Sequence, residues 1–355
     1  MDTMLQYTIY TNMFRVDETA IKELEMRAEK GEPEALFGLG RYHYCTNSQH
    51  NSMDMAKEYL LKAQACGVDE ADVALATMYR RGFMGVVDRQ KAEELIQNAA
   101  QRGCRYAIET LVSDMIYGLY GKTIDLSGAI KWLNELLNEG EHPMWYYLMG
   151  CALLQNNELT EASKWFAKAT EKGIIDAYSD LAYTLSHDEE GELIDKAAYI
   201  TTLKRGADMR DGVSSLLLAL WKMERYEDAG MYEQLFLIKE FMMNLEQSVA
   251  QGCNSAAYYL GSIYLEGNYG IKSDYRKAWK WFVRGSELLS SDCYECMYDM
   301  MEKRLVEGVS ITPDMCALNG ARCGSERLSN CVVDAYRNGR LKEYATEIEQ
   351  CYMNH

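Results

Sequence analysis

Three stretches of this chain repeat one spacing. Gly82, Gly85, Asp88 and Ala92 lie in YRRGFMGVVDRQKAEEL, Gly118, Gly121, Asp125 and Ala129 in YGLYGKTIDLSGAIKWL, and Gly267, Gly270, Asp274 and Ala278 in YLEGNYGIKSDYRKAWKWF. The last two agree at every position, and the first is one residue shorter between its second Gly and its Asp. Self-similarity of this kind marks a repeat array, in which each unit buries its apolar face on its neighbour.

Each stretch continues alike. Ala92 is followed by Ala99 and Gly103, Ala56 by Ala63 and Gly67, Ala129 by Leu136 and Gly140, and Ala162 by Ala169 and Gly173. Offsets of 0, 7 and 11 trace one helical face with a Gly just past its end, where a left-handed residue closes the helix. This is helix B of a unit, and Asp88, Asp125 and Asp274 read as its N-caps. A second face follows the closing Gly: Ala35-Leu39-Gly40, Ala71-Leu75-Ala76, Ala177-Leu181-Ala182 and Ala256-Leu260-Gly261, with Ala107-Leu111-Val112 a looser copy. This is helix A, and the small residue after each Leu lets a partner helix come close. The anchors Ala56, Ala92, Ala129 and Ala162 are 36, 37 and 33 residues apart, periods that belong to helix-pair solenoids.

The expected fold is all-α, a right-handed α/α superhelical solenoid of about seven helix pairs with helical end caps. Only 3 of 355 residues are Pro, which suits helices with short connections. Residues 1–31 read as an N-terminal capping helix, 32–292 as the repeats, and 293–355, which hold no clean copy, as a C-terminal helical cap. Within the repeats, 186–252 is irregular. A B helix is expected around Lys196–Arg205, an A helix around Ser214–Met223, and an unusually long helix around Ala229–Gln251.

The windows Ala71–Gly103 and Ala256–Gly285 resemble the Sel-one-like (Sel1-like) repeat, a relative of the tetratricopeptide repeat. They carry its Ala, its Leu followed by a small residue, its Tyr, paired loop Gly, Asp, Lys-Ala and terminal Gly. The resemblance covers 31–173 and 252–289, is diverged over 174–251, and is absent from 293–355. It implies A helices lining a concave surface, and a role as adaptor or scaffold in signalling, protein quality control or bacterial host contact. Some secreted, cysteine-rich members carry one disulfide per repeat and are linked to penicillin binding. The 11 Cys of this chain do not recur at one repeat position, so it departs from that subgroup.

Composition narrows the partners. A net charge of −17 argues against nucleic acid and against an anionic membrane surface; a charged partner would present a basic or mixed face. The opening MDTMLQYTIYTNMFRVDE lacks the basic and apolar regions of a signal peptide, and no apolar run is long enough to span a membrane. A cytoplasmic location with reduced, buried thiols is expected.

Catalytic patterns are weak. Cys293-x-x-Cys296 lacks a second close pair for zinc, since Cys316 and Cys323 are too far apart. His43, His50, His142, His187 and His355 have no metal-site spacing and read as surface or capping residues. The paired glycines recur with the repeat and follow no strand, so they are turn residues rather than phosphate cradles. No cofactor, metal or catalytic residue is expected, and the chain reads as a non-enzyme.

The expected function is therefore a protein-interaction scaffold that binds a protein or peptide on its concave A-helix surface. A structural subunit of a larger assembly is the alternative, ahead of a ligand-binding or hydrolytic enzyme on the same scaffold. The binding candidates are A-helix aromatics and arginines: Arg41, Tyr42, Tyr79, Arg80, Tyr117, Tyr146, Tyr147, Tyr183, Trp221 and Tyr258, with Arg81 beside them. Tyr and Trp make good interface anchors, and Arg pairs with carboxylates. Trp132, Trp165, Trp279 and Trp281 fall on B helices and are expected in inter-repeat packing. Oligomeric state is left open.

One consequence is testable on stability alone. Ala92→Glu places a charge at a helix-pair contact and should lose several kcal/mol, roughly 3, in thermal or urea unfolding; unchanged melting would overturn the repeat alignment at that position.

Overall fold

A computed structural model describes residues 18–45, 53–80, 82–84, 87–119, 122–188, 190–224 and 226–353. Arg81, Gly85, Gly121, His50 and His355 lie outside these residues. The described residues form α-helices joined by short turns, with one isolated antiparallel bridge between His187 and Leu193. None of the described helices is long and apolar enough to cross a membrane.

The helices sort into two compact units. The first joins the segment ending at Cys104 to Asn254–His355. Its helices are α1 (Glu18–Glu29), α2 (Pro33–Cys45), α3 (Met53–Ala65), α4 (Asp69–Arg80) and α5 (Arg89–Gln101). The second unit, Arg105–Cys253, holds α6 (Arg105–Tyr117), α7 (Leu126–Glu139), α8 (Pro143–Gln155), α9 (Leu159–Glu171), α10 (Ala177–Ser186), α11 (Lys196–Asp208), α12 (Gly212–Met223) and α13 (Met231–Ala250). The first unit resumes with α14 (Asn254–Glu266), α15 (Tyr275–Glu287), α16 (Ser291–Glu302), α17 (Pro313–Arg322), α18 (Glu326–Arg337) and α19 (Ala345–Cys351). Within each segment every helix packs on the next, as short antiparallel connections require. The expected all-α helix-pair array is what forms, with α2 to α13 and α14–α15 as its A and B helices in alternation.

The pairing rests on a size match. Four residues after each B-helix anchor stand Leu60, Ile96, Leu133, Phe166 and Phe282, all fully buried. They face the small residue of their own A helix. A Cβ on Gly40 would lie 2.7 Å from Leu60, one on Gly150 2.6 Å from Phe166, and one on Gly261 2.3 Å from Phe282. The next face of the B helix, at offset 7, receives the following A helix: a Cβ on Gly206 would meet Ser214, and one on Gly285 would meet Cys293.

Helix ends follow one plan. Asp88, Asp125 and Asp274 accept the backbone N–H of Lys91, Gly128 and Lys277 at 2.7, 2.8 and 3.0 Å, as expected of N-caps. Asp195 caps α11 in the same way, through Ala198 at 2.9 Å. The backbone N–H of each Asp also reaches back to the end of the preceding A helix: Asp88 to Tyr79, Asp125 to Met115, Asp195 to Ser186 and Asp274 to Tyr264. At the other end, Val68, Cys104, Ile174, Asp211, Cys253 and Ser290 donate to the carbonyls of Ala63, Ala99, Ala169, Gly206, Ser248 and Gly285. That six-to-one bond defines a Schellman closure and requires one left-handed residue. Gly67, Gly103, Gly173 and Gly252 supply it, with φ between 84° and 93°.

Gly140 corrects one expectation. Its φ of 175° is extended, so α7 ends without a left-handed closure, and any residue could adopt that conformation. Gly285 is a second departure, since it lies inside α15 as a packing residue, and Leu289, at φ 62°, does the closing. His43 is a third. It is buried and stacked on Tyr59 at 5.8 Å, not a surface residue. Trp165 stacks 5.8 Å from Tyr146 on the A helix of its own pair, rather than between repeats.

The residues beyond 290 continue the packing. Ala278, Phe282, Tyr294, Met300, Leu318, Val332 and Ile348 share one apolar cluster. Arg322 binds Glu347 through two bonds of 2.8 and 2.7 Å, and its guanidinium lies 5.6 Å from the ring of Phe83. That contact ties the two segments of this unit together.

Leu289 gives a prediction. A left-handed residue with a Cβ is strained by about 1 kcal/mol, and Leu289 is 47% exposed, so little burial is lost on its removal. Leu289→Gly should raise stability by roughly 0.5–1 kcal/mol in urea unfolding. A loss would mean that the side chain packs more than its exposure indicates.

Candidate functional site

The candidates fall into both units, and each unit is considered by itself. In the first, Arg41 lies over the Phe37 ring at 5.7 Å and Tyr42 sits edge-on to His43 at 5.2 Å. Tyr79 is half-buried at the end of α4, and Tyr258 packs edge-on to Tyr259 and against Phe282. Arg80 is buried and points to Glu93 on α5 at 3.5 Å. Its guanidinium serves the helix pair, so it is removed from the binding set.

In the second unit Tyr146 is also buried, between Trp165 and Lys168. It too is a packing residue. Trp221 is half-buried with Lys196 5.5 Å from its ring. Tyr183 is partly exposed and stacks on His187 at 4.3 Å.

Two of the candidates meet. Tyr117 at the end of α6 and Tyr147 on α8 both have their hydroxyls close to the thiol of Cys151, one turn beyond Tyr147. The Tyr147 hydroxyl also donates to Asp180 Oδ2 on α10, at 3.1 Å. Beyond Asp180 lie Asp176 on the approach to α10 and Asp211, the N-cap of α12. Asp211 is buried and held by the backbone N–H groups of Val213 and Ser214 and by the Ser214 hydroxyl. The row therefore crosses four consecutive A helices, of which α6 and α8, and α10 and α12, touch directly.

Its electrostatics are one-sided. Burial pushes the Asp180 carboxyl up to about 6, with the nearby carboxylates of Asp211 and Asp176 adding to the rise and the Tyr147 hydrogen bond opposing it. Burial raises the Cys151 thiol to about 12, and it lifts both tyrosine hydroxyls above their ordinary range. At neutral pH the row presents phenol hydroxyls, a protonated thiol and carboxylates. That set accepts hydrogen bonds and positive charge, and it holds no activated nucleophile.

The C-terminal thiols are packing groups. Cys293 is buried against Gly285, and the Cys316 thiol bonds the Tyr294 carbonyl at 3.4 Å. Burial raises Cys293 to about 11 and Cys296 and Cys316 to about 12, the opposite of what a metal ligand or nucleophile needs. Among the described residues no group of three His, Cys, Asp or Glu is placed to hold a metal.

The sequence reading found Tyr117 and Tyr147 by their helix and missed Asp180 and Cys151. The only signal for Asp180 is an acid on an A helix one residue before the conserved-spacing Leu181, and spacing alone does not distinguish it from a solvated charge.

Residues 69–104 and 254–288 match the Sel1 repeat family, and they coincide with the helix pairs α4–α5 and α14–α15. No curated protein matches the chain. Similar solved structures include a protective antigen present in uropathogenic Escherichia coli strains displaying an SLR fold, at 21% identity over 94% of this chain and 70% of that one, with a TM-score of 0.41. A Sel1 repeat protein from Oxalobacter formigenes is 19% identical over 91% of this chain and 92% of its own, with a TM-score of 0.43. A Pseudomonas aeruginosa protein is 17% identical over 63% and 82%, with a TM-score of 0.45. Two segments of the chain therefore match the Sel1 repeat model, and the rest of the chain lies outside those matches.

The Asp180 carboxyl predicts a pH-dependent stability. Its folded pKa, about 6, lies above the ordinary carboxylate value of 3.8, so the folded chain holds the proton longer. The contribution is full below about pH 4 and is lost as pH rises through 6. Asp180→Asn removes the ionised form. It should stabilise the fold by about 1–2 kcal/mol at pH 7.5 and by little at pH 4.5, read as melting temperature at the two pH values. Equal effects at both would show that the carboxyl is not desolvated.

Proposed function

We propose that this Sel1-repeat chain is a non-enzymatic scaffold that holds a protein or peptide on the A-helix face of its Arg105–Cys253 unit, gripping a Lys or Arg side chain at the Tyr117, Tyr147 and Asp180 row. The observation that carries the reading is the state of Asp180. A carboxyl drawn from water, bonded to one phenol and flanked by two more carboxylates, destabilises the fold at neutral pH. A cation brought by a partner relieves that penalty, and the tyrosine rings offer it π faces and hydroxyl acceptors. The net charge of −17 favours encounter with a basic partner through long-range attraction.

Tyr183 and Trp221 continue the aromatic lining in the same unit and are proposed as further contacts, while Arg41, Tyr42, Tyr79 and Tyr258 remain candidates in the other. A cytoplasmic setting goes with this reading. The cysteines Cys104, Cys151, Cys253, Cys293 and Cys316 are buried and not in disulfides, an arrangement that a reducing compartment preserves.

The test is capture of partners from a native lysate by the native chain, by Asp180→Asn and by Tyr147→Ala. A partner held by the native chain should be weakened about tenfold or more by Asp180→Asn, in step with rising salt, although that variant melts higher. Equal retention by all three baits would remove the row from the binding site.

A further inference from the structure

The helix α13 is longer than its place in the repeat requires. It spans 20 residues, against 13 for α5, α9, α11 and α15. Its C-terminal part matches the ordinary B helix. Phe241 stands at the anchor, the fully buried Leu245 four residues on, Ser248 at offset 7 and the left-handed Gly252 at offset 11. By the same register an ordinary B helix begins near Ile238. The turns before it, from Met231 to Leu237, are surplus and extend the helix by about 10 Å.

Leu237 in these turns is buried, while their other apolar residues are exposed. Met231 is 70% exposed, Tyr232 84%, Leu235 62% and Phe236 62%, and Met243 continues the stripe two turns later at 57%. Glu233 is the one charged residue among the seven surplus positions. The stripe offers about 600 Å² of side-chain surface, which is more than isolated exposed hydrophobics account for.

We propose that this stripe is a self-association surface on which two copies of the chain pair by crossing their α13 helices about a two-fold axis. Two such faces together bury about 1,200 Å², the area at which specific interfaces begin. A two-fold contact lays the same patch on itself, so one stripe satisfies both copies and the assembly closes as a dimer. The stripe is also where charge is sparse. Two copies carrying −17 each repel at long range, and close approach is least opposed where carboxylates are few, Glu233 being the one among the surplus positions and the exposed Lys239 lying between Phe236 and Met243. A partner chosen by its basic residues finds only Glu233 to grip among the surplus positions, so this surface and the A-helix row suit different partners.

The like charges of the two copies set a signature for the test. Screening weakens the repulsion between copies, so an apolar dimer tightens with salt, whereas a contact between opposite charges loosens. Sedimentation equilibrium of the full chain from about 5 to about 200 μM should show a monomer–dimer equilibrium. Its dissociation constant should fall about threefold or more between roughly 0.05 and 0.5 M salt. The double variant Leu235→Glu with Phe236→Glu should weaken the dimer about a hundredfold, because both rings and branches would face a carboxylate. Both positions are well exposed, and unchanged melting of the variant shows that its fold is intact; a second pair, Met231→Ser with Tyr232→Ser, should weaken the dimer less and in the same direction. A native chain that stays monomeric over this range overturns the proposal. So does a folded Glu variant that dimerises like the native chain, or growth into open-ended oligomers.

Discussion

The contact between a small residue on each A helix and a large residue on the B helix that follows is the interaction on which the repeats depend. Gly40 admits Leu60, Gly150 admits Phe166 and Gly261 admits Phe282, each at a separation no Cβ would tolerate. Where the A-helix residue is larger, the corresponding B-helix residue is aliphatic: Ala76 with Ile96, Ala182 with Leu203, Val112 with Leu133. Both aromatic rings stand opposite glycine. Volume is exchanged across the pair, and the interior stays close-packed without forcing the helix axes apart. Where Gly206 and Gly285 stand at offset 7 the same B helix also meets the next helix closely, so the spacing of one pair is handed to the following one.

The backbone connections serve that packing. Each loop-type Asp binds twice, with its side chain on the first turn of helix B and its own N–H on the last turn of helix A. It satisfies orphan groups at both ends and fixes the angle between the helices. The closing six-to-one bond then turns the chain directly into the next A helix. Its acceptor is the offset-7 residue that packs there, so the hydrogen bond and the close contact are set by one position.

What could be read from the residues follows from this economy. Offsets of 0, 7 and 11 were legible because three separate demands, a small anchor, a small second contact and a left-handed closure, fall on residue types with few substitutes. The unit at α11 shows why the pattern then fades. Tyr199 stands at the anchor and Arg210, at φ 71°, at the closure. The geometry persists although both marker residues are gone, because the Asp195 cap and the Ala182–Leu203 contact still hold the pair. Gly140 is the converse, a marker residue without the conformation it usually signals. The candidate site was less legible for a different reason. Helix assignment places Tyr117, Tyr146 and Tyr147 on A helices, but whether a tyrosine packs or lines a face depends on its neighbours across the pair. Tyr146 meets Trp165 and is covered, while Tyr147, one residue on, reaches Asp180.

That last difference separates what the fold needs from what it carries. Removing the Asp180 charge would favour the folded state at neutral pH, and the exposed Met231, Tyr232, Leu235 and Phe236 at the start of α13 add nothing to the buried core. A chain selected for stability alone would keep neither a desolvated carboxyl without a cation nor exposed phenyl and thioether groups on surplus helix. Both features sit in the Arg105–Cys253 unit, and both fall in its 174–251 stretch, where the repeat markers are weakest. Divergence of the markers there is what relaxed packing constraints allow, and the positions freed from the pattern are those that now hold polar and apolar surface of no use to the pair. The regular helix pairs supply the frame, and the diverged stretch carries the surfaces that the frame itself does not explain.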